Sequence, residues 1–146
     1  MKNNIKKSAN KVALFFSDIV GYSRMFNSNQ ELAIKLIDSH NKIAIPIIEE
    51  NKGNIIKFIG DSIFAKFNNS SECLNAALQI QKKLNNRNRI VESEEAIIIR
   101  IGLHYGQVIE KERDLFGHDV NICSRIEGIA QPGYIAVSDE LIKSLD

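Results

Sequence analysis

The segment Asn54–Phe67, NIIKFIGDSIFAKF, constrains the fold most. Two runs rich in Ile and Phe flank Gly60-Asp61, and a Gly-Asp pair between β-forming runs marks a tight hairpin turn. A lone hairpin is not stable in water. The rest of the chain must add strands beside it and helices over it.

Those elements can be read in order. Residues 12–18, VALFFSD, form a short apolar run typical of a buried strand. After the turn IVGYS, Leu32, Leu36, Ile37, Ile43, Ile47 and Ile48 recur at helical spacing over about 31–50, with Asn27 or Ser28 as caps. Pro46 is expected to kink or restart that helix, and Gly53 to end it. Asn69–Glu72 has capping-box character and opens a helix to about Asn86. Residues 96–109, AIIIRIGLHYGQVI, predict one or two buried strands broken at Gly106, followed by a charged loop, EKERD, at 110–114. A helix over 119–130 is closed by Gln131-Pro132-Gly133, Tyr134–Val137 is a strand, and Ser138 caps a last short helix. The order β-α-β-β-α-β-(β)-α-β-α predicts an α+β sandwich, a mixed, largely antiparallel sheet with helices on one face.

Composition excludes several classes. A chain of 146 residues forms one domain. Of its 19 Lys and Arg, four Lys fall in the first eleven residues, so residues 1–11 read as a basic tail or linker and 12–146 as the folded domain. The folded part is slightly acidic, which argues against a nucleic-acid partner. No apolar run approaches a membrane span or a signal-peptide core, and Cys73 and Cys123 make no disulfide framework. A cytoplasmic chain is the expectation. There is no P-loop, no G-x-G-x-x-G and no nucleophile elbow.

Asp18 ends the first strand and Asp61 sits in the hairpin turn. Should those strands lie side by side, both carboxylates meet at one cation site, and hard oxygen ligands suit Mg²⁺ carrying substrate phosphates. Taken alone, each is also an ordinary turn residue. Gly21, Tyr22 and Ser23 follow as a glycine turn into a helix, where backbone N–H groups can face an anion or simply turn the chain. Asn121 and Arg125 share a helix face. They can grip a sugar and a phosphate, or be a solvated face with Arg125 paired to Glu127 or Glu110. Lys57 within a strand is commonly an exposed edge residue, and Asp114 a solvated loop residue.

Together these residues resemble the catalytic domain of class III adenylate/guanylate cyclases. Four stretches carry the resemblance in order and spacing: FFSDIVGYSRM (15–25), GNIIKFIGDSIFAKF (53–67), IRIGLHYGQV (99–108) and GHDVNICSRIEGIAQPGYIAVS (117–138). The related diguanylate cyclases carry a hairpin signature of two Gly, two acids and Phe, where this turn reads IGDSI. The resemblance implies a ferredoxin-like, palm-type sandwich. It assigns Asp18 and Asp61, with the Ile19 carbonyl, to two divalent cations, Mg²⁺ or Mn²⁺. It assigns Asn121 and Arg125 to the ribose and the transition state, and Lys57 and Asp114 to base selection. The implied reaction is that of an adenylate cyclase, a phosphorus–oxygen lyase: the ribose 3′-oxygen attacks the α-phosphate of ATP, releasing pyrophosphate and 3′,5′-cyclic AMP. It also implies a head-to-tail homodimer with shared sites. The family domain usually continues beyond the strand at 134–137, with a Lys that contacts the triphosphate, so a C-terminally short domain is expected. The alternative is a non-catalytic, cyclase-like module that binds nucleotide or dimerises to regulate a partner.

Overall fold

Five strands lie in the order β2-β3-β1-β4-β5, and a sixth, β6, pairs with β4. In this computed structural model, which describes residues 10–146, they are β1 (Asn10–Ile19), β2 (Asn54–Ile59), β3 (Ser62–Phe67), β4 (Ile99–Lys111), β5 (Asp114–Phe116) and β6 (Ile135–Val137). Between them run α1 (Tyr22–Ser28), α2 (Gln30–Glu50), α3 (Ser70–Asn88), α4 (His118–Ile129) and α5 (Asp139–Lys143). All pairings are antiparallel except β4 with β6. The expected α+β sandwich is thus present, with the β-α-β-β-α-β order of a ferredoxin-like sheet. The expected tail over 1–11 lies largely outside the described residues; Asn10 and Lys11 already pair in β1 with Val108 and Gln107.

Strand alternation splits the core between the two faces of the sheet. Ala13 and Phe15 of β1, Ile63, Ala65 and Phe67 of β3, and Ile99, Ile101 and Leu103 of β4 face one side. There they pack on Leu36, Ala44 and Ile48 of α2 and on Ala76, Ala77, Ile80 and Leu84 of α3. Full burial of one such Leu, Ile or Phe side chain stabilises by about 1.5–3 kcal/mol. Val12, Leu14 and Phe16 face the other side, where Phe16 stacks on Phe64 at 4.3 Å and the cluster includes Cys123 of α4. So α2 and α3 form the expected helical layer, and α4 lies on the opposite face.

Several local expectations change. α1 starts directly after Gly21, and α2 is capped by Asn29, whose side chain accepts the Leu32 amide. α2 runs through Pro46 to Glu50. The left-handed residue after it is Lys52 (φ 64), not Gly53. Gly53 serves space instead: a Cβ there would lie 2.5 Å from the Phe67 ring. Gly106 does not break its strand, since β4 pairs continuously with β1 from Ile99 to Val108. The segment 110–114 is a hairpin rather than a loop. Glu112 and Arg113 turn with positive φ (52 and 64), and Lys111 pairs with Asp114.

Candidate active site

β1 and β3 pair from Ala13↔Phe67 to Ser17↔Ile63, which brings the β2–β3 turn beside the end of β1. There Asp61 Oδ2 accepts a hydrogen bond from the Ile19 amide at 2.7 Å. This fastens one carboxylate next to the other. Asp18, Ile19 and Asp61 line one open cleft of about 380 Å³ with Gly21, Tyr22, Ser23, Arg24, Ser62 and Arg100. Gly21 sits at φ 74 with open space around it, so backbone conformation rather than packing calls for glycine there. Partial burial, with the Asp61 and Asp38 carboxylates nearby, pushes the Tyr22 hydroxyl up, so it stays a neutral donor at the rim.

Arg100, which lines the cleft, and Glu127, which lies beneath it, escape the sequence reading as site residues. Arg100 stands opposite Asp18 in the β1–β4 register, its Nη1 3.9 Å from Asp18 Oδ1, with Nε donating to the Ala130 carbonyl at 3.0 Å. The signal was one polar position in an apolar strand, facing a polar position in its neighbour. Glu127 is buried beneath the cleft, where Gly102 lets α4 come so close that a Cβ would lie 2.3 Å from the Glu127 amide nitrogen. Burial, then the neighbouring Asp18 carboxylate, push its carboxyl up to about 8. It does not pair with Arg125, as one reading of the helix had it, and Glu110 pairs instead with Lys66.

The cleft's chemistry fits a hard cation. Asp18 Oδ1 is buried with no hydrogen-bond partner, and its ion-pair partner, Arg100 Nη1, stands 3.9 Å away, beyond hydrogen-bond reach, so a cation bound closer would satisfy it better. Among the described residues no group of three or more His, Cys, Asp or Glu gathers around a point. Two carboxylates and a backbone carbonyl suit Mg²⁺ or Mn²⁺, which are commonly held by one or two carboxylates plus substrate phosphates.

The remaining residues form a second group. Lys57 Nζ donates to Asp114 Oδ2 at 2.9 Å, joining edge strand β2 to β5. That bond holds the Asp114 carboxyl below the usual carboxylate range. Asn121 and Arg125 stand exposed, one turn apart on α4. None of these four lines the cleft of Asp18 and Asp61.

Known proteins share this fold. The family model described as the Adenylate and Guanylate cyclase catalytic domain matches residues 5–146. A Rhizobium meliloti (strain 1021) protein classed with the adenylate cyclases is 30% identical over 128 residues, 87% of this chain and 22% of its own. The receptor-type guanylate cyclase gcy-13 of Caenorhabditis elegans is 28% identical over 145 residues, 88% of this chain and 14% of its own. The chain thus spans under a quarter of the length of either relative. The crystal structure of an adenylate/guanylate cyclase/hydrolase from Silicibacter pomeroyi superposes with a TM-score of 0.85 at 31% identity, covering 92% of this chain and 78% of that one. Family model, relatives and fold agree: the chain belongs to the adenylate/guanylate cyclase catalytic domains.

Proposed function

We propose that this domain is an adenylate cyclase that converts ATP to 3′,5′-cyclic AMP and pyrophosphate. The observation that carries the reading is the Ile19–Asp61 bond, which brings a second carboxylate into the cleft that Asp18 lines. Asp18, Asp61 and the Ile19 carbonyl would hold two divalent cations, Mg²⁺ or Mn²⁺. When bound, such ions supply Lewis acidity and charge neutralisation for in-line displacement at phosphorus.

The chain's own residues do the rest. Gly21, Tyr22 and Ser23 line the cleft wall where the triphosphate would lie, and Arg100 adds a cation there. Asn121 orients the ribose, and the Arg125 guanidinium meets charge that develops at the α-phosphate. Lys57 only donates and an ionised Asp114 only accepts. Adenine offers an acceptor at N1 and a donor at N6, and guanine reverses that polarity. The pair therefore favours ATP, and a guanine would leave polar groups mismatched.

The separation of the two groups within one chain supports a head-to-tail homodimer. Each site would take Asp18 and Asp61 from one protomer and Lys57, Asp114, Asn121 and Arg125 from its partner. Phe58, Ile59 and Phe116, each about half exposed beside the base-reading pair, give such a partner apolar surface to cover. The test is turnover of ATP and GTP side by side with Mn²⁺ or Mg²⁺. Cyclic AMP in clear excess supports the reading. Equal turnover or a GTP preference removes the base assignment, and binding without turnover leaves a regulatory module. No helix among the described residues is long and apolar enough to cross a membrane. With both cysteines buried and free, the reading includes a reducing, cytoplasmic setting.

A further inference from the structure

α4 carries Asn121 and Arg125, which the proposed reaction needs, yet both stand in solvent and Arg125 has no ion-pair partner among the described residues. Their placement is that of the helix backbone. α4 begins after Gly117 without a side-chain cap. What fastens its first turn is Asp119. Its Oδ2 accepts the Gln107 amide at 2.8 Å, and its Oδ1 lies 2.8 Å from His104 Nε2. His104 is 1% exposed, and its Nδ1 lies 2.8 Å from Ser138 Oγ. Ser138 Oγ accepts the Leu141 amide at 3.2 Å as the cap of α5.

One proton arrangement satisfies every atom in this series. Leu141 N–H donates to Ser138 Oγ, the Ser138 hydroxyl to His104 Nδ1, and His104 Nε2–H to Asp119. Burial alone would raise the Asp119 carboxyl, but the bonds from His104 and the Gln107 amide outweigh it and hold the group below the usual range. Gly106 clears the space, since a Cβ there would lie 2.3 Å from Asp119 Cγ. Ser138, engaged as a helix cap and on the far side of a buried imidazole, is not placed as a nucleophile. The series is a tie between β4, α4 and α5.

We propose that His104 and Asp119 are positioning residues for the cyclase step: the buried His104–Asp119 bond sets the register of α4 on β4 and so the reach of Asn121 and Arg125. This rests on the reaction proposed above. A misplacement of about 1 Å at such distant support costs about 10²-fold in rate.

Full-length wild-type turnover of ATP judges the reaction itself. Given turnover, Asp119→Ala is expected to lower kcat about 10²-fold while KM for ATP moves less than about threefold. Asp119→Asn, which keeps the shape and can bond both Gln107 and the other His104 tautomer, is expected to recover most of that loss. Asp119→Ala combined with Arg125→Ala is expected to lose less than the product of the two single losses, because part of the clamp's effect passes through Arg125 and the rest through Asn121. Fully additive losses, an unchanged kcat, or no recovery with Asn would overturn the proposal. If Asp119→Ala does not fold, Asp119→Ser replaces it, since its hydroxyl is too short to reach His104. If wild type makes no cyclic nucleotide, amide exchange decides the clamp alone. Faster exchange across 118–129 in the variant, with α2 and α3 unchanged, supports it; unchanged exchange in α4 defeats it.

Discussion

Asp61 holds its place through one backbone hydrogen bond, and Asp18 keeps one buried oxygen without a hydrogen bond, 3.9 Å from Arg100. Replacing either by Ala should abolish cyclic nucleotide formation while the thermal melting temperature changes little, because neither belongs to the apolar core. A turnover assay beside a melting curve checks both halves. Glu127 yields a prediction in pH. Its folded value, about 8, lies above the ordinary 4.5, so the folded chain binds the extra proton between those limits. The associated stability is complete below about 4.5 and fades as pH rises through about 8. Urea unfolding in EDTA should show metal-free wild type weakening over that window and Glu127→Gln not weakening. Asp18 and Asp61 were legible because each ends or joins a strand in sequence. Glu127 was not: nothing in the helix pattern tells that two glycines of β4 draw this face of α4 onto the sheet.

At the level of elements, β4 and α4 form the unit on which the site depends. Gly102, His104 and Gly106 alternate along β4 beneath α4, and Glu127 and Asp119 fill the space that the two glycines leave. Gly102→Ala would push into the α4 backbone, which cannot swing aside as a side-chain tip can. A loss of about 1–3 kcal/mol is expected by urea titration, the usual cost of overpacking. Phe67→Ala, at the heart of the other face, should cost about 3–5 kcal/mol by the same method. The hairpin at Gly60-Asp61 was readable because Gly supplies the turn conformation. β5 was not, since Glu112 and Arg113 adopt positive φ without Gly or Asn, and the charged stretch EKERD has no apolar alternation. Gly106 read as a strand break because sequence shows a missing side chain and not the helix that occupies its place.

For the whole molecule, the proposed reaction divides each site between two copies. The resemblance already divides the six polar residues between two chains, and within one chain Asp18 and Asp61 line a cleft that none of the other four lines. In the proposed dimer, the cleft of one protomer takes the Lys57–Asp114 pair and the α4 pair of the other. The most direct measurement mixes Asp18→Ala with Asn121→Ala, each inactive alone, and follows cyclic AMP from ATP with Mn²⁺. Half of randomly re-paired dimers would hold one intact site of two, so recovery to about a quarter of wild-type activity is predicted. No recovery in a mixture whose heterodimers are verified would contradict the account.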